Sequence, residues 1–266
     1  MRRGVTEEES MAYKVVITAR YFTNDPTPLD YLRAHQCELV ESGYGGDRDD
    51  RELSEEETIR LLQGVDALIA GGVKVTRRVL EAADRLKIVA RRGVGFDSVD
   101  LQAATERGIV VTITPGAITN SVADFTFGLM IAVARKIPVA DRAIREGKWP
   151  VLMGTELWKK TLGIIGLGRI GKAVAKRARG FDMQILAYDI VQDEAFAQQY
   201  GVRYVSLEEL LQSADFVSIN APLSSTTTHL IDARALRMMK PTAFLINTAR
   251  GGLVDEKALI QALQEK

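Results

Sequence analysis

Three glycines with a fixed spacing carry the clearest chemical signal in the sequence. Gly166, Gly168 and Gly171 form a G-x-G-x-x-G pattern directly after the apolar run "TLGIIG" and before a helical stretch. In such a strand, turn and helix, the first glycine makes a tight turn, the second lets a pyrophosphate approach, and the third allows close packing. The N–H groups at the helix start can then bind the phosphates. The pattern favours a dinucleotide, although SAM-dependent enzymes contain similar loops.

A carboxylate further along supports the dinucleotide interpretation. Asp189 ends the next predicted strand, eighteen residues after Gly171, where it can accept hydrogen bonds from a ribose diol. Its charge repels a 2′-phosphate, and Ile190 and Val191 supply no cation to offset it. The sequence therefore predicts NAD, rather than NADP, as the cofactor.

A candidate for the chemical step lies near the end of the sequence. Arg250 follows the apolar run "AFLINT" and is flanked by Ala249, Gly251 and Gly252, which leave room for a cofactor and a substrate. A guanidinium can bind a carboxylate and polarise a carbonyl at once. Hydride transfer to a 2-keto acid places negative charge on that carbonyl oxygen. Arg250 is therefore the predicted catalytic cation.

Two series of short β-branched runs, alternating with amphipathic stretches, must position these residues. The first has predicted strands at 14–19, 67–71, 86–91 and 108–114, with helices at 54–63, 76–83 and 100–107; the second has strands at 161–166, 184–189, 215–220 and 243–248. This alternation is typical of βαβ units and parallel sheets. Between them we predict a long helix from about Ser121, capped by Thr119, Asn120 or Ser121. Because its sides are nearly all apolar, we expect burial against its own domain and against a partner subunit.

Composition excludes several classes of function. The 266 residues include 35 basic and 35 acidic side chains, so no binding to nucleic acid or an anionic membrane is expected. The single cysteine, Cys37, cannot form an internal disulfide, which favours the cytoplasm. Residues 1–12 lack an apolar stretch and are predicted to be a disordered leader, not a signal peptide or anchor. No metal site is predicted.

Four segments resemble one enzyme family. "GIIGLGRIGKAVAKRARGFDMQILAYD", "NAPLSSTTTHLI" and "LINTARGGLVDEKALIQAL" resemble the D-isomer-specific 2-hydroxyacid dehydrogenases, and "RRGVGFDSVDLQAATERGIVVTITPG" resembles their substrate loop and following strand. The branch most similar is that of short 3-phosphoglycerate dehydrogenases, which implies a role in serine biosynthesis; glyoxylate or hydroxypyruvate reductase is the alternative. Together with Arg250, the loop match disfavours a SAM-dependent methyltransferase.

The resemblance implies an α/β fold of two doubly wound parallel-sheet domains. A flavodoxin-like substrate domain would span 13–114 and a Rossmann NAD domain 115–266. Besides the three glycines and Asp189, the implied cofactor residues are Arg169 and Ile170 at the pyrophosphate, Ala221 and Pro222 beside the adenine, and Thr248, Ala249 and Arg250 beside the nicotinamide. The implied substrate loop, whose N–H groups hold the carboxylate of a 2-hydroxy or 2-keto acid, is Arg92, Gly93, Val94 and Gly95. The long helix and the segment "REGKWP" resemble a dimerisation arm, so a homodimer is expected.

The sequence departs from the family in its catalytic residues. In the family, the arginine works with a histidine and a glutamate downstream of the Arg-Gly-Gly segment, but this sequence ends sixteen residues after Arg250. We therefore expect a truncated chain, lacking the last NAD-domain strand and part of the substrate domain, that binds NAD but turns over poorly or not at all. The only histidines, His35 and His229, are not predicted to replace the missing one. A non-catalytic NAD-binding regulatory or scaffold protein on the same fold is the alternative.

Two further departures leave the substrate open. Phosphoglycerate enzymes often carry an arginine after the "ALI" strand, where this sequence has "AGGVKVT", with Lys74 as a possible phosphate partner that Arg91 and Arg92 could assist. The glutamate usual after "VA" is replaced by Asp124. The sequence does not choose among the 2-hydroxy acids.

Overall fold

The chain divides into two compact units, with the boundary between Ala117 and Ile118. The computed structural model describes residues 12–265, so the predicted leader lies outside the described residues except for Ala12. The boundary falls three residues after the predicted one at 114/115. Each unit has its own sheet and its own apolar core.

The first unit is a parallel sheet with helices between its strands. Its strand order is β2-β1-β3-β4-β5, and every pairing is parallel. This is the flavodoxin-like doubly wound order. The elements are β1 (Tyr13–Ile17), α1 (Pro26–Ala34), β2 (Cys37–Val40), α2 (Glu55–Leu61), β3 (Ala67–Ala70), α3 (Arg77–Ala82), β4 (Ile88–Arg91), α4 (Leu101–Glu106) and β5 (Val110–Thr112), with 3-10 turns at Phe22–Asn24 and Asp50–Glu52.

Burial on both faces of this sheet explains its apolar strands. Val16, Leu68 and Val89 from the three central strands are fully buried, together with Leu80 of α3. Because the strands are parallel, the carboxyl ends of β1, β3 and β4 lie at one edge of the sheet. The loops at 18–20, 70–74 and 92–95 therefore share that edge.

A buried carboxylate, Asp66, connects neighbouring segments at the opposite edge of this sheet. Asp66 precedes β3, is 2% exposed, and accepts a hydrogen bond from the N–H of Lys14 at 3.0 Å. Burial raises the pKa of Asp66, but the Lys14 N–H and the Lys87 and Arg85 cations outweigh it and hold that pKa below its ordinary value.

The second unit is also a parallel sheet between helices. Its order is β10-β9-β6-β7-β8, with every pairing parallel, as in the 3-2-1-4-5 portion of a Rossmann sheet. The elements are α5 (Thr119–Ala134), α6 (Ile137–Arg145), β6 (Thr161–Ile165), α7 (Arg169–Ala178), β7 (Gln184–Tyr188), α8 (Glu194–Tyr200), β8 (Val202–Tyr204), α9 (Leu207–Ser213), β9 (Phe216–Ile219), α10 (Ala233–Met238), β10 (Phe244–Asn247) and α11 (Glu256–Gln264), with 3-10 turns at Arg179–Phe181 and Gly251–Leu253. The predicted fold class of two doubly wound parallel-sheet units is confirmed.

The long helix α5 contributes one face to the core of this unit. Ala123, Phe127 and Met130 are buried there, whereas Phe125 and Val133 point outward and are 62% and 41% exposed. The predicted side-chain caps are wrong: the helix begins at Thr119, its N-cap is Ile118, and no side chain caps it. The apolar outer face remains open within the described chain.

Candidate functional site

The glycine-rich turn is shaped by close backbone packing at two of its three glycines. A Cβ on Gly166 would lie 2.7 Å from the backbone nitrogen of Ala221, and one on Gly171 would overlap the carbonyl oxygen of Gly166. Gly168 differs, because a Cβ there would meet nothing within 4 Å. The backbone at Gly168 therefore faces open space, as a pyrophosphate requires.

The start of α7 offers uncapped backbone donors next to that space. Gly168 is the N-cap, and no side chain accepts a hydrogen bond from the first turn. Arg169 is exposed, while Ile170 packs against the core. Unpaired N–H groups and the positive end of the helix dipole favour an anion at this position.

Asp189 is held in place beside the same turn. Its Oδ2 accepts from the N–H of Leu167 at 2.6 Å, and its Oδ1 accepts from the N–H of Val191 at 3.0 Å. Ile190 is 91% exposed and Val191 is 73% exposed, so apolar side chains, not cations, follow the carboxylate. This arrangement fits a ribose diol and supplies no partner for a 2′-phosphate.

The turn lies where the strand order reverses. β6 is followed in the chain by β7 and β8 on one side, and β9 and β10 lie on its other side. Gly166 after β6 and Ala221 after β9 meet at this switch point, and exposed Pro222 follows. Ligands of doubly wound folds bind at such crevices beyond the carboxyl ends of the strands. The residues present therefore fit NAD, which would supply the hydride.

Two side chains, those of Asn247 and Thr126, hold the segment that carries Arg250, and neither was predicted from the sequence. The Nδ2 of Asn247 donates to the carbonyl of Arg250 at 2.8 Å, and its Oδ1 accepts from the N–H of Ala249 at 3.0 Å. The Oγ1 of Thr248 lies 3.0 Å from that of fully buried Thr126 on α5. An asparagine closing a turn at a strand end is a recognisable signal, whereas the Thr126 contact is visible only in three dimensions.

Arg250 itself lies at the carboxyl end of β10, the sheet edge that also carries Gly166 and Ala221. It is partly buried, and its Nη1 donates to the carbonyl of Ala249 at 2.9 Å. Within the second unit, the structure thus brings the predicted cofactor residues and the predicted catalytic cation to one edge.

Two of the four backbone N–H groups in the predicted substrate loop donate hydrogen bonds within the first unit. The N–H of Arg92 donates to the carbonyl of Ala70 at 2.8 Å, and that of Gly93 donates to the carbonyl of Arg91 at 3.0 Å. The N–H groups of Val94 and Gly95 have no acceptor among residues 12–265. Of the four predicted backbone donors, only those of Val94 and Gly95 are therefore open to a ligand within the described chain, and the binding of a carboxylate by this loop stays a prediction.

The first unit also has a cavity of about 570 Å³, lined by residues 51, 72, 74–77 and 97–100. Lys74 is exposed and forms no ion pair with any residue that the structure describes. The guanidinium of Arg51 binds Asp49, its Nε lying 2.9 Å from Oδ1, and the Oγ of Ser98 is buried without a hydrogen-bond partner in the described chain. The lining thus offers a lysine, an arginine and an unsatisfied hydroxyl to a small anion, beside the opposing carboxylates of Asp97 and Asp100.

Asp124 gains a role that the sequence did not reveal. Its Oδ1 lies 2.6 Å from the Nε of Arg177, so it joins α5 to α7.

Residues 12–265 contain no group of side chains that could hold a metal ion. Over the same range, no helix is long and apolar enough to cross a membrane.

Comparison with known proteins decides the family. The family model described as "D-isomer specific 2-hydroxyacid dehydrogenase, NAD binding domain" matches residues 127–266. The chain belongs to the D-isomer specific 2-hydroxyacid dehydrogenase family. These are NAD-dependent oxidoreductases, and the matched NAD-binding domain covers most of the second unit. The predicted family and NAD as the predicted cofactor are confirmed, whereas the preference for NAD over NADP stays a prediction.

Relatives within this dehydrogenase family carry different substrate names. A glyoxylate reductase of Korarchaeum cryptofilum is 47% identical over 225 residues, which cover 82% of this chain and 68% of the relative. A D-3-phosphoglycerate dehydrogenase of Methanocaldococcus jannaschii is 46% identical over 217 residues, which cover 80% of this chain and 41% of the relative. The crystal structure of D-lactate dehydrogenase from Aquifex aeolicus with NAD and lactic acid is 30% identical, with a TM-score of 0.81, over 95% of this chain and 73% of that one. Family membership fixes the reaction type but not the substrate.

Proposed function

We propose that the protein interconverts a D-2-hydroxy acid and its 2-keto acid with NAD, and that its substrate pair is 3-phosphoglycerate and 3-phosphohydroxypyruvate. The reaction is supported by Arg250, a braced cation at the cofactor edge of the NAD-binding unit. In reduction, a hydride adds to C2 of the keto acid, and a proton must reach the carbonyl oxygen. The guanidinium of Arg250 stabilises the negative charge that develops on that oxygen. We assign no residue of this chain as the proton donor.

The choice of a phosphorylated substrate rests on the cavity in the first unit. Gly72 and Lys74, in its wall, lie two and four residues after Ala70, whose carbonyl accepts from the N–H of Arg92 in the predicted carboxylate-binding loop. An acid bound by that loop can therefore extend its far end toward Lys74 and Arg51. We propose that these two side chains take the phosphate.

Glyoxylate or hydroxypyruvate reductase is the second candidate. Several relatives are named glyoxylate reductase. Gly71 and Gly72 also offer no side chain where a phosphate could be held. A non-catalytic NAD-binding protein is the third candidate, and the experiment below distinguishes it from the two enzymes.

Rates of NADH consumption with 3-phosphohydroxypyruvate, hydroxypyruvate and glyoxylate test these proposals, on this chain and on any longer form of the protein. We expect Lys74→Ala to raise KM for 3-phosphohydroxypyruvate about tenfold, the scale of one charged hydrogen bond, and to leave KM for glyoxylate unchanged. Lys87→Ala is the control, because Lys87 is exposed and lies at the opposite sheet edge beside Asp66. A preference for glyoxylate with no effect of Lys74→Ala supports the reductase. NAD binding without any turnover supports the non-catalytic alternative.

We also propose a homodimer formed through the outer face of α5, α6 and the segment after them. Large apolar side chains there are exposed: Phe125 by 62%, Val139 by 55%, Trp149 by 88% and Val151 by 89%. Several large exposed apolar side chains in one stretch of chain are typical of a subunit interface. Light scattering is expected to give a dimer mass for the wild type and a monomer mass for Val139→Glu. Ile190→Glu, at an apolar residue of the same unit that is 91% exposed, should leave the dimer intact. A monomeric wild type contradicts the proposal.

A further inference from the structure

Asp50 is a buried carboxylate with no predicted role. It lies in the 3-10 turn between β2 and α2 and is 2% exposed. Its Oδ2 accepts hydrogen bonds from the Oγ1 of Thr18 and the N–H of Gly71, both at 2.9 Å, and its Oδ1 accepts from the N–H of Gly72 at 2.7 Å. A buried charge needs such donors to offset the loss of water. Asp50 thus joins the carboxyl ends of β1 and β3.

The glycine pair after β3 makes this contact possible. A Cβ on Gly71 would lie 2.8 Å from the Oδ2 of Asp50 and 3.1 Å from the Cα of Ala19, and one on Gly72 would overlap the Cγ of Arg51. Any larger residue would push the 50–51 segment away. The unusual "AGG" after the strand therefore matches the carboxylate that packs against it.

A single peptide plane connects Asp50 to the loop at 92–95. The peptide between Ala70 and Gly71 donates its N–H to Asp50 and accepts, through its carbonyl oxygen, the N–H of Arg92 at 2.8 Å. Because the peptide is planar, fixing its N–H also fixes the direction of its carbonyl. A charged acceptor on the N–H further polarises the carbonyl and strengthens its bond to Arg92.

A second connection reaches the loop through β1. The Nη1 of Arg92 donates to the carbonyl of Arg20 at 2.8 Å. Arg20 lies two residues after Thr18, whose hydroxyl donates to Asp50. Arg92 is thus held on its backbone and on its side chain by two strand ends that Asp50 joins.

We propose that Asp50 is a positioning residue for substrate binding, which acts by orienting the Ala70–Gly71 peptide and thereby the loop whose free N–H groups are those of Val94 and Gly95. The proposal rests on the proposed function, in which these N–H groups bind the carboxylate of the acid. Asp50 itself does not touch the substrate. An amide in its place keeps the size of the side chain but puts an NH2 group against donors that need an acceptor.

Asp50→Asn tests the proposal against Asp66→Asn, a matched control. Asp66 is equally buried in the same sheet, and its carboxylate also accepts from a backbone N–H, but it lies at the opposite edge. Both variants are expected to lower the melting temperature. Only Asp50→Asn is expected to raise KM for the 2-keto acid, by about tenfold, with kcat nearly unchanged, because carboxylate binding serves ground state and transition state alike.

Hydrogen exchange supplies a readout that does not depend on turnover. Amide exchange of Gly71, Gly72 and Arg92 should accelerate in Asp50→Asn and stay at the wild-type rate in Asp66→Asn. If the wild type reduces no keto acid, the proposed function fails while the exchange rates still decide whether Asp50 holds the loop. Equal exchange at these residues in the two variants, or equal KM values where turnover is measured, overturns the inference.

Discussion

Replacement of Gly171 by alanine is expected to destabilise the second unit by about 3 kcal/mol, the upper range for forcing extra atoms into a packed site. The added Cβ would overlap the carbonyl oxygen of Gly166 and lie 3.2 Å from the Cγ2 of Ile164. Backbone cannot move aside as a flexible side chain can, so α7 must shift away from β6. Thermal unfolding followed by circular dichroism measures the effect.

Gly168→Ala should give the opposite pattern. Its backbone angles, φ −71° and ψ −161°, suit alanine, and a Cβ there would meet no protein atom within 4 Å. The methyl group would instead occupy the space in which we place the pyrophosphate. We expect wild-type stability and at least a roughly tenfold loss of NAD affinity by calorimetry, since one displaced phosphate contact is worth that much.

Gly180→Ala is the control for both variants, because a Cβ there also meets nothing within 4 Å and Gly180 lies in the turn after α7. It should leave stability and NAD affinity unchanged. Wild-type NAD affinity in Gly168→Ala would show that no phosphate approaches this glycine.

Local patterns were sufficient to predict the cofactor turn. A strand, a turn, a helix and a second strand follow one another between Thr161 and Asp189, so their mutual geometry depends on contacts close in sequence. The apolar runs of the buried central strands were equally clear, because both faces of those strands are covered. The two strands that were missed, β2 and β8, are short sheet-edge strands of four and three residues, and the residues in them are mostly not fully buried.

Contacts between distant segments could not be predicted. Asp50 lies in the charged run "DRDDRELSEEE", a composition typical of a solvated loop, and its burial follows only from meeting Gly71 and Gly72. The internal use of the Arg92 donor likewise depends on where β3 ends, because its acceptor is the carbonyl of Ala70. Whether a backbone N–H is used within the fold or is available to a ligand depends on long-range hydrogen bonds, and residue types do not reveal these.

Replacement of Arg250 by glutamine is expected to lower kcat/KM for the 2-keto acid by roughly a thousandfold, the loss seen when a donor to a developing oxyanion is removed. Glutamine keeps a single NH2 group as donor but loses the positive charge and the second arm of the guanidinium. Arg250→Lys should recover only part of the activity, because a point charge cannot bind a carboxylate and polarise a carbonyl with one planar group.

The NAD affinity of the Arg250 variants separates chemistry from folding. The turn is braced by Asn247, which bonds to the backbone of residues 249 and 250 and not to the guanidinium. The melting temperature should therefore stay near wild type, and NAD affinity should fall far less than kcat/KM, because Arg250 lies beside only the nicotinamide end of the implied cofactor site. Arg203→Gln is the matched control, since Arg203 is an exposed arginine of the same unit paired with Glu209. Turnover by Arg250→Gln at the rate of that control would exclude Arg250 as the catalytic cation. If no form turns over, loss of oxalate binding to the NAD complex in Arg250→Gln alone tests the same assignment, because oxalate presents the carboxylate that the guanidinium must hold.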